Sequence, residues 1–277
     1  MTVQRDIVFR DGRQLVVHDA GSSGAAGELT VVWHHGSPQT GALLPPLLEA
    51  ATVRGIRLVS YGRPSYGGSS PNVGRDVASA SGDVAKIADA LGIDRFAVMG
   101  ASGGGPHALA CAALLPDRVF GAVCLASPAP WTDAFDWYAG MASPGGLRAA
   151  AAGRVERARF AETEEFDESQ FVAADWAALS GAWASLGRDA GQAGSAGPDG
   201  LIDDDVAFAK PWGFDLASIA APVLLVQGGL DCVIPPSHAD ALLRAIPTAE
   251  LWLRPRDGHV SVLDACPVAM DWLVALA

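Results

Sequence analysis

Residues 95–104, Arg95-Phe96-Ala97-Val98-Met99-Gly100-Ala101-Ser102-Gly103-Gly104, decide how this chain is read. The first five form a short apolar run suited to a buried strand. Beyond them, His107 to Leu115 reads as a buried helix stopped by Pro116. Between the two lies Gly100-x-Ser102-x-Gly104. A strand that reverses directly into a helix forces its apex residue into a strained backbone conformation, and glycines two before and two after the apex leave room for it. The Ser102 hydroxyl is expected to stand clear of the sheet at a helix start, where unpaired N–H groups and the helix dipole favour developing negative charge. Ser102 is the candidate nucleophile, and the Gly103 amide is half of a candidate oxyanion hole.

Strands and helices alternate before and after this turn. Asp6–Arg10 and Gln14–Asp19 read as a hairpin joined at Asp11-Gly12, and a Gly/Ser/Ala-rich loop from Gly21 to Gly27 follows. The run Leu29 to His34 then leads into His35-Gly36-Ser37-Pro38. In a parallel sheet, loops at the carboxyl ends of the strands line the ligand crevice. The Ser37 amide is therefore expected beside that of Gly103 as the second oxyanion donor, with His35 shaping the loop from within. Next come a helix at Pro45–Thr52, a strand at Arg57–Tyr61, and the loop Gly62 to Ser70, whose Ser65, Ser69 and Ser70 read as turn formers. A helix at Asp76–Leu91 closes at Gly92, and Val119–Ala126 is a further strand. The βα rhythm predicts an α/β fold with a mostly parallel, doubly wound sheet.

From Ser127 to Phe214 the rhythm changes to helical, Trp-rich sequence broken by glycines, with acidic clusters at Glu162–Glu168 and Asp203–Asp205. This predicts a helical lid over residues 128–214, inserted into a core of residues 1–127 and 215–277. Trp131 and Trp212, with Val233 from a later loop, are expected to line the substrate pocket; packing the lid onto the core accounts for most of the other aromatics. Asp203, Asp204 and Asp205 read as helix-capping acids rather than metal ligands, and Arg148, Arg154, Arg157, Arg159, Arg188 and Lys210 mostly as a solvated helix face. The rhythm resumes with a strand at Ala221–Gln227, the loop Gly228 to Pro235, a helix at Ser237–Ile246 and a strand at Glu250–Arg254. That last strand ends at Asp257-Gly258-His259. Asp257 reads as a solvated acid and Asp264 as a neighbour of the histidine loop.

Of the 277 residues, half are apolar and 18% are charged, as suits a compact globular protein. A net charge of -12 leaves no basic stripe for a nucleic acid. The four cysteines form no C-x-x-C pair, so neither a disulfide framework nor a metal site is expected. The first ten residues lack a signal-peptide pattern, and no apolar run is long enough to span a membrane. A cytoplasmic monomer or homodimer with a small-molecule substrate is the expectation, with no membrane partner.

The chain resembles the α/β-hydrolase superfamily, specifically small lidded hydrolases similar to esterases, proline iminopeptidases and C–C bond hydrolases. The resemblance rests on His35-Gly36-Ser37-Pro38, the Arg63 to Ser69 loop, the Gly100–Gly104 turn, Gly228 to Pro235, and Gly258-His259. It covers nearly the whole chain except the lid. Gly62 departs from the family, which often has an acid there. The resemblance implies that Ser102 is the nucleophile, Asp231 the acid and His259 the general base, in the order this fold uses. Some relatives place the acid one strand earlier, but Ser127-Pro128 holds no carboxylate. A serine nucleophile also sets aside the dehalogenase and epoxide hydrolase branches, which attack with a carboxylate. The expected activity is hydrolysis of a small or medium apolar ester, thioester or amide without metal or organic cofactor. Alternatives are a C–C bond hydrolase drawing on the lid arginines, an aminopeptidase drawing on the lid acids, and a receptor-like binding protein with slow or no turnover.

Overall fold

The computed structural model describes residues 2–277 except 22–23, 25–27 and 134, so most of the predicted 21–27 loop lies outside the described residues. Its framework is one sheet of strands β1 (Val3–Val8), β2 (Gln14–Asp19), β3 (Thr30–His34), β4 (Arg57–Tyr61), β5 (Phe96–Ala101), β6 (Val119–Leu125), β7 (Val223–Gly228) and β8 (Ala249–Arg254). Their spatial order is β1-β2-β4-β3-β5-β6-β7-β8. From β4 to β8 every pairing is parallel, whereas β2 runs antiparallel to both β1 and β4.

Period-two alternation divides the strand side chains between two cores. Val32, Val98, Cys124 and Leu225 face one core, which also holds Val84 and Ile87 of α2 (Ser79–Ala90), Leu109 of α3 (Gly104–Leu114) and Leu242 of α9 (Pro236–Ala245). Val31, Met99, Leu125 and Val226 face the other, with Leu47 of α1 (Pro45–Val53) and Met270 and Leu273 of α10 (Cys266–Val274). Covered on both faces, the central strands β3, β5 and β7 are buried at every position. The edge strand β1 is mostly exposed.

Four elements differ from the sequence expectation: β1 spans Val3–Val8 rather than Asp6–Arg10, α3 starts at Gly104 rather than His107, and two helices differ further. Helix α2 starts at Ser79 rather than Asp76, because the Asp76 carboxylate accepts from the Ser79 amide at 2.8 Å and so stands ahead of the helix. Helix α10 was not predicted; Pro267 in its first turn and buried Ala269, Met270 and Leu273 are its sequence signal. Between β6 and β7 the described residues hold no strand, only α4 (Gly145–Ala152), α5 (Arg154–Ala161), α6 (Ala173–Ser180), α7 (Ala184–Ser195), α8 (Asp199–Phe208) and short 3₁₀ turns. No helix among the described residues is long and apolar enough to cross a membrane.

Candidate active site

Ser102 follows β5 directly and has φ +51°, the left-handed conformation expected at the apex of the turn. Its amide donates to the Leu125 carbonyl at 2.8 Å, which ties the turn to β6. Both flanking glycines are sites of close backbone approach. A Cβ at Gly100 would collide with the Gly104 carbonyl, and one at Gly104 with the His34 carbonyl at the end of β3. The Ser102 hydroxyl lies 3.0 Å from His259 Nε2.

His259 and Asp231 come from the turns after β8 and β7. His259 Nδ1 lies 2.8 Å from Asp231 Oδ2, while Asp231 Oδ1 accepts from the amides of Val233 and Ile234, both at 2.9 Å. Gln227 Nε2 donates to the Ile234 carbonyl at 2.9 Å and so braces the same loop. Burial disfavours the His259 imidazolium, but the Asp231 carboxylate outweighs it with help from Asp175, and the pKa rises above the usual 6.5. Because Asp231 accepts at Nδ1, the neutral ring carries its proton there and leaves Nε2 free to take the hydroxyl proton of Ser102.

The loop after β3 closes the site from the other side. A Cβ at Gly36 would lie 3.6 Å from Ser102 Cβ, and one at Gly103 would collide with Ser37 Oγ, so Ser37 and Gly103 adjoin beside the nucleophile. His35 is buried, as expected of a loop-shaping residue. Its Nε2 accepts from the Arg63 amide at 3.1 Å, which fixes the proton on Nδ1 for donation to the Gly36 carbonyl at 2.7 Å. Burial and the Arg63 cation hold its pKa well below 6.5, so the ring stays neutral.

Beneath this loop lies a buried ionic cluster. Arg63 Nη1 donates to the His35 carbonyl, and Arg63 Nη2 donates to Ser37 Oγ at 2.9 Å and to Asp204 Oδ2 at 2.6 Å. Asp204 comes from α8 in the helical insertion. It also accepts from Arg75 Nη2 at 2.5 Å, Ser37 Oγ at 2.5 Å and Tyr66 Oη at 3.0 Å. Burial opposes its charge, but the two guanidiniums prevail and hold its carboxyl well below the usual carboxylate range.

A family model described as alpha/beta hydrolase fold matches residues 30–265. The chain belongs to the alpha/beta hydrolase fold family. It is 30% identical over 233 residues to the dihydrolipoyllysine-residue acetyltransferase component of the acetoin cleaving system of Cupriavidus necator. That match takes in 80% of this chain but 55% of the relative, so the chain spans about half that protein's length. Among solved structures, it is similar to the enol-lactonase from Burkholderia xenovorans LB400, with TM-score 0.74, 19% identity and coverage of 98% of this chain and 99% of that one. A thermophilic esterase from Thermogutta terrifontis gives TM-score 0.72 and 21% identity over 100% of this chain and 99% of its own.

The structure thus brings Ser102, His259, Asp231, Ser37 and Gly103 together. Other predicted residues are placed differently. Trp131 is 46% exposed at the surface, whereas Trp212 is buried in the core, where its Nε1 donates to the Phe208 carbonyl at 3.2 Å. Val233 lies in the acid loop, where its amide serves Asp231. The capping role expected of Asp203, Asp204 and Asp205 is also corrected. They lie inside α8, and each meets an arginine: Arg154 with Asp203 at 2.7 Å, Arg63 and Arg75 with Asp204, and Arg157 with Asp205 at 2.7 Å. Arg157 is accordingly buried, not part of a solvated face. Asp264 accepts from Trp183 Nε1 at 2.8 Å and so ties α7 to the segment after the histidine loop. Sequence reasoning missed Asp175 of α6, a fully buried acid whose only signal is a lone charge in Ala173-Ala174-Asp175-Trp176-Ala177-Ala178.

Proposed function

We propose that this protein is a serine hydrolase that transfers a small or medium apolar acyl group from an ester, thioester or amide to water through an acyl-enzyme on Ser102. The observation that carries this reading is the continuous chain Ser102 Oγ, His259, Asp231, with contacts of 3.0 and 2.8 Å. His259 Nε2 takes the hydroxyl proton as Oγ attacks the acyl carbon. Asp231 holds the ring in the required tautomer and stabilises the imidazolium, which returns the proton to the leaving group. The amides of Ser37 and Gly103 meet the tetrahedral oxyanion. Water then repeats the sequence on the acyl-enzyme. The helical insertion acts as the lid over this site. The names of the esterase and the enol-lactonase support an acyl–oxygen bond as the target.

The two enzymatic alternatives lose support from the ion pairs. An aminopeptidase needs an available lid acid for the substrate ammonium; Asp203, Asp204, Asp205 and Glu164 already hold arginines, which leaves the exposed Glu162 and Glu165 for that role. A C–C hydrolase would bind its acidic substrate through lid cations; Arg154, Arg157 and Arg159 are engaged by acids of the same segment, which leaves Arg148, Arg188 and Lys210 for that role. The test is turnover of a p-nitrophenyl ester series of increasing acyl length, beside Ser102→Ala and His259→Ala, with fluorophosphonate labelling in parallel. Turnover by wild type with failure of both variants upholds the reading. Labelling without ester turnover moves the bond cleaved to an amide or a C–C bond, and inertness in both assays overturns the reading in favour of a binding role.

A further inference from the structure

Asp175 of α6 accepts from four main-chain amides and one hydroxyl. Its Oδ1 accepts from the Val260 and Ser261 amides, both at 2.8 Å, and from Ser261 Oγ at 2.9 Å. Its Oδ2 accepts from the His259 amide at 3.2 Å and from the Val172 amide at 3.1 Å, just ahead of its own helix. Three consecutive N–H groups of the turn that carries His259 therefore converge on one carboxylate from the insertion, and among the described residues no cation pairs with it. A Cβ at Gly258 would collide with Oδ2, so the glycine before His259 is a consequence of this carboxylate's approach.

Triad acids and Asp175 divide the support of one ring. Asp231 fixes the imidazole at Nδ1, but a ring held at one atom still swings with its backbone. The backbone is fixed by Asp175. We infer that Asp175 is a positioning residue for hydrolysis: through the main chain of residues 259–261 it sets where His259 Nε2 lies relative to Ser102, and so makes the helical insertion part of the catalytic centre. The inference rests on the proposed triad. Its electrostatic corollary involves every charged group near the ring. Asp231 and Asp175 both favour the imidazolium, while Asp257 is engaged by Arg254 at the far end of the turn.

The experiment compares wild type with Asp175→Asn, which keeps the shape but sets an NH₂ group against amide donors, and with Asp264→Asn, which weakens a different contact of the insertion. For each protein, kcat and KM on a p-nitrophenyl ester, the His259 imidazole titration by NMR, and the thermal midpoint are measured. Asp175→Asn is expected to lose about 10²-fold in kcat with KM little changed. Its His259 titration and the acid limb of its rate profile both move to lower pH. Asp264→Asn leaves the His259 titration in place. An unchanged kcat and unchanged titration in folded Asp175→Asn overturn the inference, as does a loss of rate that only tracks the unfolded fraction. Should Asp175→Asn not fold, Ser261→Ala removes one of the five donors: a fall in kcat at constant KM supports the inference and an unchanged kcat overturns it. Failure of the triad reading shows separately, as absent turnover and absent fluorophosphonate labelling in wild type, while the NMR titration still tests Asp175.

Discussion

The sheet core and the helical insertion contribute to one site in opposite ways. The core supplies the groups proposed to react, on turns at strand ends: Ser102 after β5, Asp231 after β7 and His259 after β8. The insertion supplies carboxylates that touch no reacting atom, Asp204 beneath the Ser37 loop and Asp175 beneath the His259 turn. Ser102 and His259 are partly exposed while Asp231 is buried beneath them, and the insertion acids Asp204 and Asp175 are fully buried and hold other residues in place. Chemistry and architecture are thus separable by mutation. Substitutions in the first set should remove activity and leave stability, and those in the second should do the reverse or couple the two.

The sharpest separation is expected from Ser102→Ala, with a loss of about 10⁴–10⁶-fold in kcat and a thermal midpoint no lower than that of wild type. A midpoint that drops with the rate would break the division. Asp231→Asn should lose about 10⁴-fold in kcat through the wrong tautomer of His259, with the fluorophosphonate labelling rate falling in step. On the architectural side, Asp204→Ala leaves Arg63 and Arg75 buried without their shared anion. A loss of about 3–5 kcal/mol is expected, read by urea unfolding, because removing one partner of a buried pair exposes the full desolvation penalty of the other. If that variant unfolds at the wild-type denaturant midpoint, the insertion is not the structural clamp described. The smallest effect concerns pH. Because the His259 pKa lies above 6.5 and the neutral ring is the base, kcat/KM should rise with pH through a midpoint above 6.5 and then level off. A midpoint below 6.5 would mean that burial, rather than Asp231, dominates the ring.

Legibility followed the same division. The Gly100–Gly104 turn and the Ser37 loop are readable because each is a local solution, a strand end with a glycine where backbones touch, whereas Asp231 and His259 are assigned through the resemblance carried by Gly228 to Pro235 and Gly258-His259. Strand β4 was placed to the residue, since a short apolar run between turn formers has little freedom. The insertion offered no such local logic. Nothing adjacent to Asp204 in sequence announces that Arg63 and Arg75, some 140 and 130 residues earlier, will meet it. For the same reason the burial of Trp212 among core side chains has no signal in its neighbouring residues. Asp175 is hidden more deeply, because four of its five donors are main-chain amides that carry no identity in the sequence at all.

The left-handed Ser102 sets the chemistry and the fold at odds over a single residue. Glycine adopts φ near +51° without the steric cost that any side chain meets there, roughly 1–2 kcal/mol for an L-residue. Ser102→Gly should therefore fold at least as well as the native chain while hydrolysing nothing. A library of variants screened only for heat resistance would drift toward glycine at this position, and the serine would persist only while the screen also demanded turnover.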